Sequence, residues 1–225
     1  MSVPKYRLPE LPGLQASARY EPGVEGVDVG GDWYDLIALG GERLLLVVGD
    51  VSGRGLRAAT TMALLRYAIH AYAAQGDPPA AMLAKLSRLV DVGAEGQLAT
   101  VLCAVIDVDA RRVSVTSAGH LPPLLISDGH GQFVHSEVGL PVGVDPNTSY
   151  VSATVSAPPG ATLLAFTDGL VERRGESIDA GLERLRRRAS VNHSTLDELL
   201  TGVLVDLRDH EAHDDTAIAG VRWTT

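Results

Sequence analysis

Short apolar runs separated by turn residues are the dominant pattern along this chain. The run from Leu44 to Val48 consists only of Leu and Val, which is typical of a β-strand buried on both faces. Turn residues such as Asp-Gly and Pro-Pro separate the apolar or alternating runs that follow it. We predict further strands over Leu98–Asp107, Arg112–Ser117, Leu124–Ser127, Gln132–His135, Tyr150–Ser156, Leu163–Thr167 and Thr216–Trp223.

Apolar residues at helical spacing predict four helices, which come in two pairs. The first pair is Leu56–Ala74 and Ala80–Val92, and the second is Ala180–Ala189 and Leu196–His210. Consecutive strands joined by hairpin turns favour antiparallel sheets, and paired helices favour covering the sheet faces over crossing between parallel strands. The sequence therefore predicts an α+β fold of stacked layers. Residues 1–13 contain three prolines and are predicted to form a linker or N-terminal extension, followed by one domain over 14–225.

Composition narrows the classes of function that this chain can have. The 225 residues carry a formal net charge of −9 and offer no basic face, so we expect no nucleic-acid partner. No apolar run approaches the roughly 20 residues that a membrane-spanning helix needs, and the first residues lack the apolar core of a signal peptide. We therefore expect a soluble, cytoplasmic protein without a membrane partner. Cys103 is the single cysteine and lies in an apolar run, so we expect a core thiol.

Aspartate recurs at or beside the ends of the predicted strands. Although aspartate is disfavoured inside strands, at a strand end its carboxylate can point into a cleft between sheets. Several converging carboxylates repel one another unless cations neutralise them, and such hard oxygen ligands suit Mg²⁺ or Mn²⁺. Alone, the segments of Asp50 and Asp168 are more often plain turns, Asp214-Asp215 is more often a solvated pair, and Asp32 and Asp35 could cap or brace a loop. Their joint occurrence favours a metal site. The four segments are Gly30 to Asp35, Val48 to Gly55, Phe166 to Leu170 and His213 to Ala217.

Five motifs that follow one another along the chain carry a resemblance to a known family. They are Gly-Gly-Asp-Trp-Tyr-Asp, Gly-Asp-Val-Ser-Gly-Arg-Gly-Leu-Arg-Ala-Ala, Ala-Gly-His-Leu-Pro-Pro-Leu-Leu, Thr-Asp-Gly-Leu-Val-Glu and Asp-Asp-Thr-Ala. In this order they resemble the stage II sporulation protein E-type branch of the metal-dependent (type 2C) protein serine/threonine phosphatases, from about Leu14 to Val221. The resemblance implies a four-layer α-β-β-α sandwich over residues 14–225, with two Mn²⁺ or Mg²⁺ ions held between the sheets.

The same resemblance implies a set of metal ligands. Asp50 corresponds to the ligand that bridges both ions, and the Val51 carbonyl completes the shell of one of them. Asp168 and Asp214 correspond to ligands of the more enclosed ion, and Asp32 to the acidic position beside the second ion. Asp50, Asp168 and Asp32 are accordingly the predicted catalytic residues.

Two of these assignments leave alternatives open. Asp215 is the alternative to Asp214, because the Asp-Asp pair can be aligned with the family in two ways. Asp35 is expected to support the site without being a ligand.

The chain departs from the family pattern at three positions. Arg54 stands where many relatives have His or Lys, and Leu121 stands where Asn is usual after Gly-His. Ser52 occupies the position of a histidine that is the candidate general acid in the wider type 2C family. His120 is the nearest remaining candidate acid, although a structural role in the turn before Pro122 is favoured.

The mechanism that we hypothesise is hydrolysis of phosphoserine or phosphothreonine by a water that the two cations bridge and activate to hydroxide. The resemblance implies that the substrate is a phosphorylated anti-sigma-factor antagonist. It also implies regulation by an upstream sensor domain or a partner protein, acting through the predicted helix pair, and a homodimer is compatible with the sequence. The alternative is a catalytically silent signalling or binding module of the same fold.

Overall fold

The computed structural model describes residues 8–23, 30–90, 96–191, 194–208 and 214–224. In these ranges the strands are β1 Leu14–Glu21, β2 Trp33–Gly40, β3 Arg43–Val51, β4 Ala99–Asp107, β5 Arg112–Ala118, β6 Leu124–Ser127, β7 His130–Phe133, β8 Val138–Gly139, β9 Ser152–Ser156, β10 Thr162–Phe166 and β11 Thr216–Trp223. The helices are α1 Leu56–Ala74, α2 Pro79–Leu89, α3 Ile178–Ala189 and α4 Leu196–Leu207, with a short 3₁₀ turn at Asp168–Leu170.

The strands form two sheets. Sheet I has the order β1-β11-β10-β6-β7, and all of its pairs are antiparallel. Sheet II has the order β2-β3-β4-β5-β8, with β9 also paired to β5, and only the short β5–β8 pair among those described is parallel.

Three apolar layers hold the sheets and helices together. Strand β3 shows how they arise, because Leu44, Leu46 and Val48 face the core between the two sheets whereas Leu45 and Val47 pack against α1 and α2. A third core lies between sheet I and the helix pair α3–α4, which contributes residues such as Leu185 and Leu200. The predicted α-β-β-α sandwich and the double burial of β3 are thus confirmed.

The helices begin where their sequences provide suitable N-terminal residues. Pro79 occupies the first turn of α2, where a missing N–H is tolerated. Thr195 and Glu198 form a reciprocal capping box at the start of α4. Ser177 caps α3, because its side-chain oxygen accepts a hydrogen bond from the Ala180 N–H.

Several predicted boundaries are wrong by a few residues. Strand β7 covers His130–Phe133 instead of Gln132–His135, because Asp128-Gly129 forms the turn into it. Helix α2 begins at Pro79 and ends at Leu89, and α4 ends at Leu207. The predicted ends of these two helices, Val92 and His210, lie outside the described residues.

Strands β1 and β2 were not predicted as strands. Both lie at the edge of a sheet. Strand β1 mixes polar and apolar residues without a continuous apolar run, whereas β2 contains the short apolar run from Leu36 to Leu39, a strand signal that the prediction missed. Within the described ranges, no helix combines the length and the apolar character that crossing a membrane would require.

Candidate functional site

The register between β2 and β3 brings Asp32 beside Asp50. Trp33 opposes Gly49, so the residue before Trp33 lies level with the residue after Gly49. This close approach requires glycine at position 49, because a Cβ there would lie 2.1 Å from an atom of the Trp33 ring. The two carboxyl groups lie close enough together for each to shift the pKa of the other.

Asp168 reaches the same region from the other sheet. The Thr167 N–H donates to the Ala217 carbonyl at 3.0 Å, and the Ala217 N–H donates to Thr167 Oγ1 at 2.9 Å. These bonds continue the β10–β11 pairing up to the 3₁₀ turn in which Asp168 lies. Strand β11 also contacts β2 and β3 of sheet II, so the ends of four strands meet here.

Asp50 and Asp168 line one cavity of about 290 Å³. Its lining also includes Gly119 and His120 of the loop before β6 and the acidic residues Glu172 and Glu176. Four of its lining residues thus carry carboxyl groups, which suits a cation far better than an anion.

Burial and mutual repulsion raise the pKa values of the three central carboxyls. For Asp32 burial is the largest cause, and the charge of Asp50 adds to it. Burial also raises the pKa of Asp50; the neighbouring Asp32 carboxyl opposes this effect, and the charges of Asp214 and Asp215 add to it. For Asp168, burial and then the charge of Asp50 raise the pKa to about 6.

This donor set fits a divalent cation. Asp32 Oδ2 is buried and accepts no hydrogen bond from the described residues, although an unsatisfied buried carboxylate oxygen is costly. A cation would satisfy this oxygen and remove the repulsion that raises the pKa values. No three His, Cys, Asp or Glu side chains in the described ranges already stand in an arrangement that encloses an ion. The ligand set therefore stays a prediction.

The Val51 carbonyl lies against the glycine turn that carries Asp32. The Val51 N–H donates to the Gly31 carbonyl at 3.2 Å. A Cβ at position 31 would lie 2.0 Å from the Val51 carbonyl oxygen. Only glycine at position 31 allows these two segments to approach so closely.

Asp214 and Asp215 have different surroundings. The Asp215 carboxylate accepts the Gly23 N–H at 2.9 Å, and its charge adds to burial in raising the pKa of Tyr20. Asp214 is exposed, and its Oδ1 accepts the Asp215 N–H at 3.1 Å. The charge of Asp214 contributes to the raised pKa values of both Asp50 and Asp168.

His120 has the environment of a structural residue. Its Nδ1 lies 2.8 Å from Thr100 Oγ1, and its Nε2 lies 3.1 Å from the Phe166 carbonyl oxygen, to which it donates. Burial lowers the pKa of His120 to about 4, so the ring is neutral at neutral pH. A neutral ring with both nitrogens engaged is poorly suited to act as a general acid.

Two other polar residues of the motifs bind neighbouring elements. The Ser52 hydroxyl accepts the Leu98 N–H at 2.7 Å, which ties the end of β3 to the segment before β4. Arg66 of α1 donates two hydrogen bonds to Asp35, each of 2.8 Å, and His70 Nε2 lies 3.1 Å from the same carboxylate. Asp35 therefore connects β2 to α1.

Comparison with known proteins decides the family. The sequence profile of the family described as Stage II sporulation protein E (SpoIIE) matches residues 40–224. The chain belongs to the SpoIIE family.

Relatives of this SpoIIE-family chain include two named proteins. It is 26% identical to the phosphoserine phosphatase RsbU of Bacillus subtilis, over 89% of this chain and 64% of RsbU. It is also 26% identical to the protein IcfG of Synechocystis, over 90% of this chain and 36% of IcfG. The chain thus spans between about one third and two thirds of the length of these relatives.

A solved structure shows the same fold. The structure of the RsbU and RsbW domains of Rv1364c from Mycobacterium tuberculosis matches with a TM-score of 0.85 and 29% identity, over 96% of this chain and 62% of that one. Together with the family match, it confirms the resemblance found in the sequence and the four-layer sandwich.

The structure brings together most of the residues that the SpoIIE motifs predict. The charges of Asp50 and Asp168 raise the pKa of Asp32, and the charge of Asp214 raises the pKa values of Asp50 and Asp168. Motif reasoning missed the roles of Tyr20, which lies outside the five motifs, and of Arg66, whose partner is 31 residues away. Glu172, which lines the cavity, belongs to one of the five motifs, but the sequence suggested no role for it.

Proposed function

We propose that this chain is a metal-dependent protein serine/threonine phosphatase. The observation that carries the proposal is the meeting of Asp32, Asp50 and Asp168, from three separate strand ends, at one acidic cleft where their pKa values rise. Such a cluster has no structural use as a set of mutually repelling buried carboxyls, but it is well suited to hold divalent cations. Family membership and the named phosphatase among the relatives support the same activity.

The proposed ligands are the carboxylates of Asp32, Asp50, Asp168 and Asp214 and the carbonyl of Val51, with two Mn²⁺ or Mg²⁺ ions as cofactors. Bound cations would supply a nucleophilic water at neutral pH and charge neutralisation for the phosphoryl oxygens.

The residues around the cleft hold these ligands in place. Gly31 and Gly49 permit the close approach of the β2 and β3 segments, which keeps Asp32 level with Asp50. His120 bonds both Thr100 and the Phe166 carbonyl, and so fixes the cavity wall between the two sheets.

The proposed substrate is a phosphorylated anti-sigma-factor antagonist. Its support is the resemblance of the motifs and the occurrence of an RsbU domain together with an RsbW domain in the Mycobacterium protein. An open cleft at the molecular surface suits a phosphoserine presented by a folded protein.

We further propose that an upstream sensor domain or partner protein acts through α1 and α2. Helix α1 begins five residues after Val51, and its Arg66 binds Asp35, three residues after Asp32. A movement of α1 would therefore pull on both strands that carry the cluster.

The experiment is hydrolysis of p-nitrophenyl phosphate and of phosphoserine antagonist proteins, with Mn²⁺, with Mg²⁺ and with chelator. We expect turnover only with the cations and a loss of at least about 100-fold in Asp50→Asn. The matched control is Asp109→Asn, because Asp109 lies in the turn after β4, at the far end from the cleft. Cation binding without hydrolysis of any substrate would instead favour a silent binding module of this fold.

A further inference from the structure

Tyr20 and Asp215 lie in contact with each other, at a point where the segments that carry Asp32, Asp168 and Asp214 come together. Tyr20 lies on β1 opposite Ala217 of β11, which places its hydroxyl near the start of β11. There the hydroxyl lies beside the Asp215 carboxylate, and both groups pack against Gly30. Burial and the charge of Asp215 raise the pKa of Tyr20. We call this pair the Tyr20–Asp215 clasp.

The clasp packs directly against the glycine turn that leads to Asp32. A Cβ at Gly30 would lie 1.5 Å from Asp215 Oδ2 and 2.8 Å from the Tyr20 hydroxyl oxygen. The Asp215 carboxylate also accepts the Gly23 N–H at 2.9 Å. The position of the turn before Asp32 is therefore set by contact with the clasp.

The backbone of Asp215 packs against the other two ligand segments. A Cβ at Gly169 would lie 2.1 Å from the Asp215 carbonyl oxygen, so the residue after Asp168 rests on Asp215. The Asp215 N–H donates to Asp214 Oδ1 at 3.1 Å, which orients the Asp214 carboxylate. One residue thus contacts the segments that carry Asp32, Asp168 and Asp214.

We infer that Tyr20 and Asp215 are positioning residues that set the spacing of Asp32, Asp168 and Asp214, and that Asp215 is not itself a metal ligand. The inference rests on the proposed function, since it concerns the affinity of that same site for cations. Its physical basis is that the Asp215 carboxylate already accepts the Gly23 N–H at 2.9 Å and packs against Gly30 beside the Tyr20 hydroxyl. Both contacts would have to be lost before it could turn to an ion.

The test is a calorimetric titration of Mn²⁺ into the full chain, without substrate. We expect Tyr20→Phe, which removes only the hydroxyl, to weaken Mn²⁺ binding by roughly five- to twentyfold while keeping the number of ions bound. Asp214→Asn should lower the number of ions or abolish binding. Tyr67→Phe is the matched control, because Tyr67 is 69% exposed on α1 and should bind Mn²⁺ like the wild type.

A double-mutant cycle separates positioning from direct ligation. If Tyr20 acts through Asp215, then Asp215→Asn should weaken binding about as much as Tyr20→Phe, and the double variant should be little worse than either. Their thermal unfolding without metal shows that each variant folds.

Two results would overturn the inference. One is unchanged Mn²⁺ affinity in Tyr20→Phe; the other is loss of an ion in Asp215→Asn while Asp214→Asn retains it. A wild-type chain that binds no Mn²⁺ at all would overturn the proposed function as well, so the two failures are distinguishable.

Discussion

At the residue scale, the aspartates of the cleft are costly to bury together without a cation. Asp168 shows in which direction this cost changes the stability of the fold with pH. Its pKa in the folded, metal-free protein is raised from 3.8 to about 6, so the folded state binds the proton more tightly than the unfolded state does. The stabilisation of the folded state by this protonated carboxyl is fully present below about pH 4 and is lost as the pH rises through about 6.

We therefore predict that Asp168→Asn stabilises the metal-free protein at pH 7.5. The expected gain in the free energy of unfolding is on the order of 2 kcal/mol, and it should vanish near pH 4. Urea unfolding in the presence of chelator at the two pH values measures it. A variant that is less stable than the wild type at pH 7.5 would contradict the repulsion that we infer.

A second residue-scale prediction concerns Gly31. Its replacement by alanine would place Cβ 2.0 Å from the Val51 carbonyl oxygen, and since that atom is backbone, a strand end must shift. We expect a loss of about 3 kcal/mol in the free energy of unfolding and much weaker Mn²⁺ binding.

The control for Gly31→Ala is Gly160→Ala. Gly160 has φ +74° and open space around its Cα, so this change reports left-handed backbone strain alone, at about 1 kcal/mol. Equal losses of stability in the two variants would mean that the contact between Gly31 and Val51 is unimportant.

At the element scale, the ion pair between Arg66 of α1 and Asp35 of β2 links the helix pair to the cleft. The side chain of Asp35 is only 9% exposed and accepts two bonds from Arg66. Removing one partner of a buried pair leaves the other charge uncompensated, which is strongly destabilising.

We predict that Arg66→Met lowers the free energy of unfolding by about 3 kcal/mol. Adding Asp35→Asn should recover much of this loss, because no buried charge then remains. Arg57→Met, on the exposed side of α1, should change stability by less than about 0.5 kcal/mol. If Arg66→Met behaved like Arg57→Met, α1 would not be tied to β2 by this pair.

The same scale shows which parts of the structure can be read from the sequence. The continuous apolar run of β3 and the helical spacing of α1 predicted those elements well, because both bury wide apolar surfaces. Strand β1 alternates weakly and holds its place through pairing with β11, some 200 residues later. Such long-range pairing leaves no local pattern in the sequence. The same holds for the contact between Tyr20 and Asp215 and for the ion pair between Arg66 and Asp35.

At the scale of the whole molecule, two sheets that each carry aspartates at one end close over a shared cleft. Asp50 comes from sheet II and Asp168 follows β10 of sheet I, so the cleft exists only when the sandwich is complete. The motifs predicted which aspartates meet, but their distances depend on packing of the two sheets through the central core.

We predict from this arrangement that cations stabilise the folded chain as a whole. Addition of Mn²⁺ or Mg²⁺ at pH 7.5 should raise the melting temperature by several degrees, because only the folded state assembles the ligands. The increase should be small in Asp50→Asn and unchanged in Asp109→Asn. Equal stabilisation of all three proteins would place the cations elsewhere.

The most direct measurement is a crystal structure of the chain grown with Mn²⁺, with an anomalous difference map collected at the manganese edge. The account predicts anomalous peaks between Asp50 and Asp168, within ligand distance of both carboxylates. A map without a peak there, with the two side chains directed away from each other, would contradict it.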